Sequence, residues 1–380
     1  MRSRPLALAA ALALPATLAL AGCSGESSGG SASGAGPIAV KASDTACEVS
    51  RTEAPAGTVE FTVTNSGEKV NEFYVYAEGD RIMGEVENVA PGLTRTFHVD
   101  LSEPGSYQTA CKPGMVGDGI RAAFNVTGAS AGTKSDDDNL EAAVAEYQRY
   151  VASQSDAFLA QTTAFVALVK AGKVDQAKAL YPTARSYWER IEPVAESFGD
   201  LDPKIDGRAE VVDEGMKFTG YHRLEKDLWE DGLQPDSSAI ADQLLTDVTE
   251  LVTKAKAVEL NPLQLANGSK ALLDEIATGK ITGEEDRYSH TDLWDFAGNL
   301  DGSKAAVQAL RPYLEENAAG LVAEIDDRFA TTEAELATHR SGDGWVFYDQ
   351  LDQAQLRALS DSITALTESV SKVASTVAGE

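Results

Sequence analysis

Glu189 and Glu192 stand three residues apart, and so do His222 and Glu225. On a helix that spacing puts both members of each pair on one face. Between the pairs runs Phe198-Gly199-Asp200-Leu201-Asp202-Pro203-Lys204-Ile205-Asp206, which adds aspartates. Two such pairs facing each other, with one aspartate, make a hard, oxygen-rich cation site carrying a single nitrogen ligand. The chain has only four histidines in 380 residues, so one set among carboxylates carries weight. The plain alternative is a solvated helix face on which the spacing is coincidental.

Helices must carry these pairs, and the sequence supplies them from Asn139 onward. There Ala, Leu, Glu and Gln dominate, and apolar residues recur at helical spacing, as in Phe158, Phe165 and Val169, or Leu244, Leu245, Val248, Leu251 and Val252. Pro182, Pro203, Pro235, Pro262 and Pro312 read as helix punctuation. Residues 139–380 are therefore expected to form one large all-α domain, a bundle or paired bundles, long enough for a well-buried core. Residues 37–127 read differently. Val59–Thr64, Glu72–Tyr76, Thr94–Val99 and Ala122–Val126 are short β-branched and aromatic runs separated by turn residues, which predicts a small β-sandwich. Residues 128–138 read as the linker between the two.

The N-terminus reads as a targeting segment. Arg2 and Arg4 precede an apolar run, Leu6 to Leu20, too short to span a membrane comfortably. The run ends in Leu20-Ala21-Gly22-Cys23, which resembles a bacterial lipoprotein cleavage box. Residues 1–22 are then a signal peptide, Cys23 is the lipidated residue, and residues 23–36 are a flexible Gly/Ser tether. The protein is expected in the cell envelope, anchored on the periplasmic side of the cell membrane. Removing Arg2 and Arg4 moves the formal net charge from −28 to −30. So acidic a chain is no nucleic-acid binder, and its field favours cations. Cys47 and Cys111 remain, either as one disulfide, which an exported compartment permits, or as two metal ligands.

Four segments carry a family resemblance: Glu189-Arg-Ile-Glu192-Pro, Ser197-Phe-Gly-Asp-Leu-Asp-Pro, Gly220-Tyr-His222-Arg-Leu-Glu225 and Tyr288-Ser-His290-Thr-Asp-Leu-Trp-Asp-Phe. Through them residues 139–380 resemble the imelysin-type helical domain, filed as peptidase family M75. With a cupredoxin-like domain ahead of it, the chain resembles EfeO-type iron-uptake lipoproteins over about residues 37–380. The resemblance implies an extracytoplasmic iron-binding component of an EfeUOB-type system, with iron (Fe²⁺ or Fe³⁺) as cargo and Zn²⁺ or Cu²⁺ as other ions the ligand set admits. It implies a membrane iron permease (EfeU-like) and a haem peroxidase (EfeB-like) as partners. It also marks His222, Glu225, Glu189, Glu192 and Asp206 as the metal site. Glu196, one turn beyond Glu192, reads as surface, and His290 as a packing residue at a helix start.

In the β domain the blue-copper pattern of two histidines, a cysteine and an axial methionine is broken. No histidine stands near Asn71-Glu72-Phe73, and Met115 occupies the histidine's place in Cys111-Lys-Pro-Gly-Met115. Cys47, Cys111 and Glu72 are left as either a remade metal site or, for the cysteines, a disulfide. Peptidase activity is not expected. His222-Arg-Leu-Glu225-Lys226 is neither His-Glu-x-x-His nor His-x-x-Glu-His, and no second histidine stands near it. The competing reading is an M75-type metallopeptidase of the cell envelope.

Overall fold

The computed structural model describes residues 36–129, 137–199, 201–209 and 217–379. The leader, Cys23 and the tether up to residue 35 lie outside the described residues, as do residues 130–136 of the linker.

Nine strands build the first layer pair: β1 (Ile38–Ala42), β2 (Cys47–Val49), β3 (Glu53–Pro55), β4 (Gly57–Asn65), β5 (Asn71–Tyr76), β6 (Ile82–Val89), β7 (Thr94–Leu101), β8 (Gly105–Cys111) and β9 (Ile120–Thr127). They form a four-stranded sheet, β2-β1-β4-β7, and a five-stranded sheet, β3-β9-β8-β5-β6. β4 alternates as a half-exposed strand should. Val59, Phe61 and Val63 point into the sandwich and the residues between them lie half-buried. Phe61 packs against Phe73, Phe97 and Phe124 at ring distances of 5.3, 5.6 and 5.7 Å. β5 departs from alternation because both of its faces are covered. Phe73 and Val75 face the sandwich core, whereas Tyr74 and Tyr76 group with Ile82 and Ala110 in a separate cluster. At the edge of that cluster the Ile82 amide donates to the Ser197 carbonyl of the helical region at 3.2 Å.

The helical region comprises α1 (Asp138–Lys170), α2 (Val174–Glu189), α3 (Glu192–Ala195), α4 (Asp202–Ile205), α5 (Gly220–Lys226), α6 (Ser237–Ala257), α7 (Pro262–Thr278), α8 (Asp292–Asn317), α9 (Ala319–Ala337), α10 (Gln353–Val370) and α11 (Lys372–Ala378). α1, 33 residues long, spans about 50 Å and joins two apolar cores. Its first half packs with α7 to α11, and its second half, through Phe158 and Phe165, with α2, α5 and α6. None of the described helices is long and apolar enough to cross a membrane.

The prolines divide by position. Pro262 opens α7 behind an Asn261 capping box, and Pro203 sits in the first turn of α4. Pro182 and Pro312 instead lie inside α2 and α8. The expectation that they end helices is corrected: packing on both sides of these helices outweighs the cost of about 3 kcal/mol for an interior proline.

Candidate metal centre

Four pieces of chain converge where α2 meets α8. The approach is close because residue 298 of α8 is glycine; a Cβ there would sit 2.7 Å from the Glu189 Cβ. α5 is set in place by Gly220, whose φ of +80° and 2.2 Å clearance to the Ile205 carbonyl admit no side chain.

Glu189 is the last residue of α2 and Glu192 the first of α3, with the helix broken at Ile191 (φ −123°, ψ 8°). They do not share one continuous helix face, yet the fold still brings them together. Asn299 Nδ2 donates to Glu189 Oε2 at 3.0 Å and to Glu192 Oε2 at 2.7 Å, and Lys280 Nζ lies 3.3 and 3.5 Å from the same two carboxylates. His222 and Glu225 do share a face of α5, with Nδ1 3.1 Å from Glu225 Oε2. Asp206 is the residue that stops α4. Its Oδ1 lies 3.6 Å from His222 Nε2. All five are buried.

Several members carry no helical spacing signal. Glu285 Oε1 lies 3.5 Å from His222 Nε2, and Asp286 Oδ1 lies 3.9 Å from His222 Nδ1. Both come from the loop before α8, whose Tyr288 and Ser289 amides donate to Glu225 Oε1 at 2.9 and 2.7 Å. Asp295, one turn into α8, is fully buried. At the centre sits Arg185, with no exposed side-chain surface. It pairs with Glu189 and Asp206, lies 3.1 Å from Glu285 Oε1, and places Nε 3.5 Å from both Asp286 and Asp295. Arg185 precedes Glu189 by four, the one spacing from which its presence on this face was readable.

The electrostatics follow from this packing. Burial lifts Glu189 to about 7 against the pull of Lys280 and Arg185, and lifts Glu192 and Asp295 well above the ordinary range. Burial acts the same way on Asp206 and Glu285, but Arg185 overcomes it at Asp206, and Lys280 with His222 and the arginines at Glu285, so both fall below their usual values. For His222, burial and Arg185 oppose a ring proton, but Asp206 and Glu225 outweigh them and hold its pKa well above the ordinary value. Arg185 Nη1 lies 3.1 Å from Nε2. A guanidinium can only donate, so that contact is a hydrogen bond only when Nε2 is unprotonated and the remaining ring proton is on Nδ1 facing Glu225. A carboxylate behind a histidine in this way orients the free nitrogen lone pair for a metal.

Two groups of ligand atoms therefore meet at the ring, Asp206 with Glu285 and Glu225 with Asp286, while Glu189 and Glu192 come together with Asp206 as a third; within each group the atoms lie within 4.8 Å of one another. Oxygen donors with one imidazole suit iron better than a softer thiolate-seeking ion. Both carboxylate oxygens of Asp295, one of Asp292 and the amide oxygen of Asn299 are buried without a hydrogen-bond partner among the described residues.

The remaining predicted residues fall elsewhere. Cys47 and Cys111 are joined in a disulfide with Cα atoms 5.6 Å apart. Glu72 faces away from it: Phe73, which pairs with Cys111 across the sheet, points into the sandwich, and the neighbouring Glu72 points out and accepts from the Tyr74 hydroxyl at 2.9 Å. The second-site set of Cys47, Cys111 and Glu72 is thus not brought together. Glu196 is not freely solvated; with Glu85, Glu87 and Glu275 it lines a cavity of about 400 Å³ beside β6 and α7. His290 adopts φ +58° at the start of α8, outside the cluster.

Residues 143–373 match Imelysin, and residues 8–123 match the Cupredoxin-like domain. Relatives named "Iron uptake system component EfeO" from Escherichia coli O157:H7, Escherichia coli K12 and Shigella flexneri are each 36% identical over 342 residues, covering 88% of this chain and 90% of their own length. The chain belongs to the EfeO family, its cupredoxin-like domain preceding its imelysin domain.

Proposed function

We propose that this chain captures iron in the buried nest around His222 and hands it to a membrane permease of the EfeU kind, alongside an EfeB-like haem peroxidase, while tethered to the cell membrane through Cys23. The convergence of Asp206, His222 Nε2 and Glu285 supports the reading, and the named role of the 36%-identical relatives agrees with it. Iron here is cargo. Asp206, His222 and Glu285 would hold it, Glu225 would orient the imidazole, and Glu189 with Glu192 would add carboxyl oxygens beside them. The excess of buried carboxylates over Arg185 and Lys280 supplies the attraction.

Proteolysis fits less well. A zinc peptidase needs an open coordination position reached by substrate, and Asp206, the most exposed of the proposed ligands, keeps only 9% of its surface. Calorimetric titration of the full chain with Fe²⁺ under argon and with Fe³⁺, beside His222→Ala, tests the proposal. Iron binding that is lost in the variant is the expected result. Equal binding by both would remove His222 from the site.

A further inference from the structure

Iron capture at His222 leaves Arg185 without a role, and any role given to Arg185 in that capture rests on iron being held there. Arg185 occupies the lone pairs that an ion would need. Its Nη1 bonds Asp206 Oδ1 and faces His222 Nε2 at 3.1 Å, and its Nη2 meets Glu285 Oε1 at 3.1 Å. These acceptor atoms belong to the three residues that form one group of ligand atoms, with Asp206 Oδ1 3.6 Å and Glu285 Oε1 3.5 Å from Nε2. Each carboxylate oxygen has a second lone pair, but His222 Nε2 has only one, so the guanidinium and a metal ion cannot both occupy Nε2. An ion can take Nε2 only if Arg185 Nη1 moves away from it.

The structure supplies a place for it to go. Arg185 Nε has no hydrogen-bond partner, and both oxygens of Asp295 lack one too, although all three atoms are buried. Nε and Asp295 Oδ1 stand 3.5 Å apart, as do Nε and Asp286 Oδ1. That is too long for a hydrogen bond and close enough for one after a small movement. We infer that Arg185 is a resident counter-cation with two berths. It holds Asp206 and Glu285 together when the site is free of iron, and it swings toward Asp295 and Asp286 when iron binds. Because its charge stays in the nest, it also weakens the grip on iron, which a protein that must pass its cargo on requires.

The test is iron titration of the full chain as Arg185→Gln, Asp295→Asn, the double variant and His222→Ala, using Fe²⁺ under argon. Removing a fixed charge next to the ion should tighten binding by at least about tenfold in Arg185→Gln. Removing the second berth should weaken binding by about fivefold or more in Asp295→Asn, and that loss should vanish once Arg185 is Gln. Unchanged or weaker binding by a folded Arg185→Gln overturns the inference. So does an Asp295→Asn effect that persists in the double variant. If Arg185→Gln loses its helical circular dichroism, Asp295→Asn alone decides: weaker binding supports the two berths and native affinity overturns them. His222→Ala keeps the two levels apart. Native affinity in that variant defeats both the site and this inference; weakened affinity with no tightening in Arg185→Gln defeats only the inference.

Discussion

The two halves of the molecule solve burial in opposite ways. The sandwich closes over four phenylalanine rings and a disulfide. Where α2 meets α8, the helical region closes instead over an arginine, a lysine and a ring of carboxylates. Apolar burial is satisfied by contact alone. Buried charge is satisfied only while every partner is present, and several oxygens here lack one. The first core is held mainly by apolar contact, and the second by pairs of buried charges.

That contrast breaks most visibly if a sandwich ring is removed. Phe61→Ala should cost about 3–5 kcal/mol in urea unfolding and leave iron affinity unchanged. An altered affinity would mean that the two cores are coupled. Replacing Cys47 and Cys111 together by serine should cost about 2–5 kcal/mol, again with native iron binding; lost iron would revive a β-domain metal site. In the charged core the order reverses. Glu225→Gln should lower iron affinity about 10–100-fold, as expected for a residue that orients a ligating histidine, and shift the unfolding midpoint comparatively little.

The smallest effect is the pH response of the iron-free protein. Burial lifts Glu189 from 4.5 to about 7, so the folded chain holds a proton that the unfolded chain releases. The stability tied to that proton is full below pH 4.5 and is lost as pH rises to about 7. Asp206 and Glu285 are shifted the other way, and their contribution is lost only as pH falls below the ordinary carboxylate range. Urea midpoints should therefore decline between about pH 4.5 and 7, and decline less in Glu189→Gln, with Glu72 and Asp202, also raised to about 7, sustaining the rest. A rise across that window would contradict the assignment.

Much of the molecule is legible in the residues themselves. Alternation in Val59–Thr64 marks β4, and His222 with Glu225 marks one face of α5, because both signals are periodic and local. Glu285 and Asp286 are not legible. They sit on a loop, where spacing carries no direction, and only the return of the chain before α8 brings them to the ring. Arg185 escapes notice for a different reason: a cation is not sought among cation ligands, although its distance from Glu189 in sequence places it there. Glu72 misleads because neighbouring strand residues face opposite ways, so nearness in sequence to Phe73 implies distance from Cys111.

Where iron sits decides the matter most directly. Crystals of the iron-loaded full chain, measured at the iron absorption edge, would locate it by anomalous difference density. We predict one peak between Asp206, His222 Nε2 and Glu285, with the Arg185 fork drawn back toward Asp295. A peak elsewhere, with Arg185 still joined to Asp206 and Glu285, would contradict both the site and the two berths.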